Sequence, residues 1–224
     1  MSDDSPRLSG VEVSCYLGAA DWVIAVISLP EIGAAWKQPS SLANYSVGGV
    51  AAHVVQGALE RVVALLELPE PDGLPSVDIP AFFAPNRVEG PGDDPVLVGL
   101  RRLSEVHALQ GQEAVVRRSR VARDQLASVL PTTAVDRRMP LVRLPDASSS
   151  AGDYLRTRVL ELIVHGDDLV ASIPGLLAPA PPSDAVGACL AVCLELARAR
   201  VGDIDVLRAF TRVERAEEGA LRVL

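Results

Sequence analysis

The stretch Tyr154 to Ser172, YLRTRVLELIVHGDDLVAS, decides how the rest of the chain is read. Successive helical residues turn by about 100°, so Tyr154, Arg158, Glu161, His165, Asp168 and Ser172 fall within one arc, and all are polar. Leu155, Val159, Leu162, Ile163, Leu169 and Val170 form one apolar flank, Leu160, Val164 and Ala171 the other, with Arg156 and Asp167 opposite the arc. A surface helix needs one polar face, and this one has two. Arg156 and Asp167 suffice for solvent, so the second arc is read as lining an internal cleft. Within it Glu161 and His165 stand one turn apart and can converge on one ion. Asp168 is in reach to orient an imidazole, and Arg158 lies one turn before Glu161. On spacing alone an exposed face with i, i+4 polar pairs is the commoner source of so short a pattern.

Helix signals continue outward from this segment. Ser150-Ala151-Gly152-Asp153 resembles a capping box opening the helix, which runs to about Ser172. Upstream, Ser9-Gly10-Val11-Glu12 caps a helix to about Leu29, and Ser46 caps a second to about Leu68, stopped by Pro69, Pro71 and Gly73. Asp94-Pro95 opens a third, reaching about Leu130 and bent near Gly111. Residues 69–93 read as a long loop covering a site, pinned by Phe82 and Phe83, and 131–150 as irregular. Downstream, PGLLAPAPP is a linker before a helix from Ser183 to about Arg200 and a shorter one after Gly202. Strand-like alternation is confined to residues 220–224. The expectation is an all-α chain: a four-helix bundle over 8–175 and a short C-terminal helical extension over 176–224.

Composition sets the limits. The 224 residues are 49% hydrophobic but only 4% aromatic, so the core must be built from Leu, Val, Ile and Ala. A net charge of −8 repels phosphate backbones and anionic lipid, which argues against nucleic-acid and membrane partners. No signal peptide is recognised in MSDDSPRLSG, and Ala185 to Leu194, taken as the longest weakly polar stretch, is too short to span a bilayer. Cys15, Cys189 and Cys193 are too sparse for a disulfide framework, so a cytoplasmic location is expected. Lys37 is the single lysine, a bias pointing to a high-GC bacterial genome.

His53 sits mid-helix with Gly49 and Gly57 one turn away and Ser46 and Glu60 on the same face. Glycine costs a helix interior roughly 0.5–1 kcal/mol relative to alanine, so the pair makes room for a neighbour, either a packed helix or a bound ion. His107, among Arg101, Arg102, Glu105 and Arg117, reads as structural or solvated, and Cys189 and Cys193 as small core residues. No Ser-His-Asp order, phosphate loop or Cys-x-x-Cys offers a protein nucleophile.

Two segments carry a resemblance. YSVGGVAAHVVQG resembles the segment that bears the first metal-binding histidine in the mycothiol-dependent maleylpyruvate isomerase family of the DinB-like superfamily, with Tyr45 where a tryptophan is usual. RVLELIVHGDDLVAS resembles that family's Arg-x-x-Glu-x-x-x-His-x-x-Asp helix, and ARARVGDIDVLRAFTRVERA the C-terminal extension of actinobacterial members, though it is shorter than the substrate-shaping domain of the isomerases. The resemblance implies a DinB-like bundle in which His53, Glu161 and His165 ligate a divalent ion, zinc, with positions left open, as in a catalytic site. It implies mycothiol as the cofactor thiol; Arg158 and Asp168 are taken as the catalytic residues, and position assigns Arg158 and Tyr154 to holding an anionic substrate. The partners would be that thiol and an electrophile, the chain a monomer or homodimer, and the reaction thiol transfer or cis-trans isomerisation. Two other readings stand beside it: a metal-binding helical module with a binding or regulatory role, and a metal-dependent hydrolase with Glu60 or Asp168 as base.

Overall fold

The computed structural model describes residues 6–87 and 95–223. Helix α1 (Gly10–Ile27) opens on the expected capping box, Ser9 Oγ taking the Glu12 N–H and the Glu12 carboxylate the Ser9 N–H. A short α2 (Pro30–Ala34) occupies part of the connector. Ser46 Oγ caps α3 (Val47–Val55) by accepting from the Gly49 N–H. A π-helical turn, Gln56–Glu60, then carries the chain into α4 (Arg61–Glu67), so the expected second helix is one rod with a wide turn in its middle.

The expected loop over 69–93 contains α5 (Ile79–Phe83), capped by Asp78, and a 3-10 turn, Ala84–Arg87. Phe83 is buried and Phe82 stands edge-on to Tyr154 at 6.1 Å, so both phenylalanines pin it. The expected third helix is two, α6 (Pro95–Ala108) and α7 (Gln112–Val129), parted at Gly111, whose φ of 84° only glycine adopts without strain. Asp94, read as its cap, lies outside the described residues. Helix α8 (Ala151–Ala171) begins where Ser150 Oγ takes the Asp153 N–H. Two expectations are corrected: residues 138–150 form an antiparallel hairpin, β1 (Arg138–Leu141) with β2 (Leu144–Ser150), and 220–223 are not a strand.

Four rods make the bundle, α1, α3 with α4, α7 and α8: α1 packs on α8 and α7, α3 packs on α8 and α7, and α6 lies against α3. Their contact is the aliphatic core the composition requires, with Val23, Ile27, Leu59, Leu126, Leu162 and Leu169 fully buried. Each such side chain contributes roughly 1.5–3 kcal/mol. Gly166 sets the distance between α1 and α8, since a Cβ there would lie 2.2 Å from Trp22 Cζ3. Helix α9 (Ser183–Val201) lies against α8 and α1, adding Ala185, Cys189, Val192 and Leu196 to the same core, and α10 (Asp203–Thr211) follows. Trp22 Nε1 donates to the Pro179 carbonyl at 2.8 Å and fixes the linker.

Arg156 is also corrected. It does not simply face solvent but pairs with Glu195 of α9 at 2.8 Å and Asp153 at 3.1 Å, leaving Val164, Asp167 and Ala171 as the exposed strip of α8. Gly10–Ile27 and Val47–Glu67 are, contrary to expectation, long and apolar enough to cross a membrane, but 56% of each is buried inside the bundle.

Candidate functional site

The internal arc of α8 faces α3, and there the structure brings together His53, Glu161 and His165, with one potential ligand atom from each within 4.8 Å of the others. Each imidazole is oriented from behind. His165 Nδ1 donates to Asp168 Oδ2 at 2.9 Å, which turns Nε2 toward Glu161 Oε2, 3.4 Å away. Ser104 Oγ spends its proton on the Leu100 carbonyl at 2.9 Å, so it accepts from His53 Nδ1–H at 3.4 Å and leaves His53 Nε2 as the free lone pair. The two rings stand edge-on with centroids 5.0 Å apart, and Tyr45 lies against His53 at 5.5 Å.

Two imidazole nitrogens and one carboxylate oxygen, with a carboxylate behind one ring, form a donor set suited to a divalent ion of the zinc type. Without an ion a proton holds the cluster. Burial pushes His165 down, but the bonds to Asp168 and Glu161 outweigh it and raise the group to about 9. Burial and the His165 charge push His53 down to about 4. Burial would raise Glu161, yet Arg158 and His165 hold it well below the usual carboxylate range.

Arg158 is buried and gripped on all sides. Its guanidinium lies over Tyr154 at 5.0 Å and Phe82 at 5.6 Å, donates to the Gly57 carbonyl at 3.3 Å and the Thr157 hydroxyl at 3.1 Å, and pairs with Glu161 at 3.7 Å. The last member of the arc, Ser172, is outside the site: it donates to the Asp168 carbonyl and accepts from the Ser41 N–H. Asp168 is committed to His165 and does not line the neighbouring cavity. Glu60 does line it but is tied to Arg118 by two bonds of 2.7 and 2.5 Å.

That cavity, about 570 Å³, has His53, Glu161, Arg158 and Tyr154 on one side and α4, α6 and the hairpin on the others. The glycines beside His53 divide between the two explanations for them. Gly49 admits Glu105, whose carboxylate caps α3 through Ser46, and a Cβ there would meet Glu105 Oε1 at 2.0 Å. Gly57 has nothing within 4 Å and borders the cavity.

Ser104, Gln56 and Arg61 were not singled out from sequence, and His107, read as structural or solvated, lines the cavity. The π turn Gln56–Glu60 lies among them, as such turns gather at functional sites, but it is visible only in the backbone. The cysteines are core residues: burial pushes Cys189 up to about 12, and Sγ lies 3.7 Å from the Val159 carbonyl.

The sequence model of one family, described as the mycothiol maleylpyruvate isomerase N-terminal domain, matches residues 20–170, from α1 to the end of α8, and includes His53, Glu161 and His165. No curated protein and no solved structure matches the chain.

Proposed function

Because the chain belongs to the mycothiol maleylpyruvate isomerase N-terminal domain family, we propose that it is a metal-dependent enzyme that uses mycothiol, as a thiol transferase or a maleylpyruvate-type cis-trans isomerase. The observation that carries this is the meeting of His53, Glu161 and His165 at the edge of a cavity. A divalent ion held by these three would supply the positive charge that keeps a thiol ionised at neutral pH. Asp168 keeps the proton on His165 Nδ1, and Ser104 keeps it on His53 Nδ1, so both Nε2 atoms stay available. Arg158, immobilised between Tyr154 and Phe82, presents a fixed cation toward an electron-rich group of the electrophile. Cys15 and Cys189 are buried, Cys193 is half-buried and none of the three lines the cavity, which fits a thiol brought from outside. Hydrolysis is less well supported, because Glu60 and Asp168, the two bases it would need, are engaged with Arg118 and His165.

Metal content by mass spectrometry and melting temperature with and without millimolar mycothiol test the reading. One divalent ion per chain is expected, lost in a His53→Ala, His165→Ala variant, and a thiol-dependent rise in melting temperature. No ion after incubation with zinc, or no shift with the thiol, would overturn it.

A further inference from the structure

The wall of the cavity says what kind of molecule it takes. Its volume falls in the range of roughly 300–1,000 Å³ that encloses drug-sized ligands, and much of its surface is hydrocarbon, from Leu65, Leu97, Leu100, Leu103, Leu141 and Phe82. Two polar groups on that wall retain unused capacity. The side chain of Arg61, the first residue of α4, makes no hydrogen bond or ion pair among the described residues, whereas Arg158 and Arg118 are both committed to carboxylates. His107 Nδ1 accepts from Gln56 Nε2 and, at 2.9 Å, from Arg118 Nη2. A ring nitrogen that accepts carries no proton, so the neutral ring holds its proton on Nε2, which has no partner among the described residues. Arg118 is anchored in turn, held by Glu60 through two bonds.

We propose that this cavity holds the electrophilic substrate, and that the substrate is an amphipathic monocarboxylate. Its hydrocarbon body lies against the leucines, its carboxylate on Arg61, and His107 Nε2–H donates to an acceptor oxygen. The fit is to a molecule with one charged end and an extended apolar body, and poor for a small dianion that would leave the leucine wall uncovered. The proposal rests on the function proposed above only for the reaction the ligand undergoes; the ligand class follows from the wall.

The test uses the full chain, stripped of metal with a chelator and free of thiol, titrated calorimetrically with decanoate, decanol and succinate. Decanoate is expected to bind, decanol at least about tenfold more weakly, and succinate not measurably, since a charge-assisted contact and an apolar body both contribute. Arg61→Gln should erase the preference for decanoate over decanol at an unchanged melting temperature. His107→Phe, which keeps the ring and removes the N–H, should weaken decanoate severalfold. Gly57→Leu, which fills the open space beside the π turn, should abolish binding of both chains. Succinate binding as tightly as decanoate, an unaltered decanoate preference in Arg61→Gln, or unaltered decanoate binding in His107→Phe or Gly57→Leu would each overturn the proposal. With metal and thiol absent, failure here leaves the metal-and-thiol reading intact, and failure to find an ion leaves this result intact.

Discussion

Replacing Asp168 by asparagine perturbs the site through one atom pair, the 2.9 Å contact of Asp168 Oδ2 with His165 Nδ1. The amide keeps the size and an acceptor oxygen but removes the charge. Loss of a carboxylate behind a metal-binding imidazole costs about 10–100-fold in affinity. A second effect has the opposite sign. In the metal-free chain His165 stays protonated up to about 9, because its bonds to Asp168 and Glu161 outweigh burial. A metal ion must displace that proton, so binding strengthens about tenfold per pH unit below that value and is about 100-fold weaker at pH 7 than its limit. His53, held down at about 4, adds nothing over this range. Without the Asp168 charge, His165 loses its proton at lower pH and the competition eases. Zinc affinity measured by chelator competition should therefore climb in the wild type until about pH 9. The Asp168→Asn curve should flatten earlier, and above pH 9 the variant should remain about 10–100-fold weaker. Parallel curves, or equal affinities above pH 9, would refute the role given to Asp168 and the assignment of His165.

Gly166→Ala should cost about 1–3 kcal/mol by chemical denaturation, because the new Cβ meets the buried Trp22 ring at 2.2 Å; Gly57→Ala, with open space beside it, should cost nothing and gain up to about 0.5–1 kcal/mol. Burial holds Cys189 up at about 12, so at pH 8 its thiolate fraction is roughly a thousandfold below that of an ordinary thiol, and mass spectrometry should find it unlabelled by iodoacetamide when free cysteine has fully reacted. Arg156→Gln should cost less than about 1 kcal/mol, since the Arg156 and Glu195 side chains are 37% and 35% exposed; a loss severalfold larger would mean that the pair anchors α9.

The bundle was legible because its signals are local and repeated. Ser9, Ser46 and Ser150 each announce a helix start that the backbone N–H three residues on confirms. The inward arc of α8 was legible because one helix with two polar faces has few ways to pack. What escaped depends on residues distant in sequence. The hairpin at 138–150 alternates only over the four residues of β1, while β2 contains Pro145 and Asp146, buries Ser148 and Ser149 side by side, and is held by backbone pairing instead of apolar alternation. The π turn leaves no periodic trace; by adding a residue to one turn, it shifts the positions after it around the rod relative to a uniform α-helical projection. Arg156 looked like a solvent residue because nothing in its own helix reveals that α9 will place Glu195 beside it.

The division of the three candidate ligands between α3 and α8 also bears on when the site can come into being. His53 precedes its two partners by more than a hundred residues, and the Glu161 and His165 pair alone supplies only two donors. A chain leaving the ribosome therefore carries no complete site until α8 has been made and has docked on α3. Metal loading at this site would then be a late step of biosynthesis, reporting that the two helices have met. A loaded ion would fasten the fourth rod of the bundle to the second, closing a long loop whose entropic cost to form, on the order of a few kcal/mol, has already been met by folding.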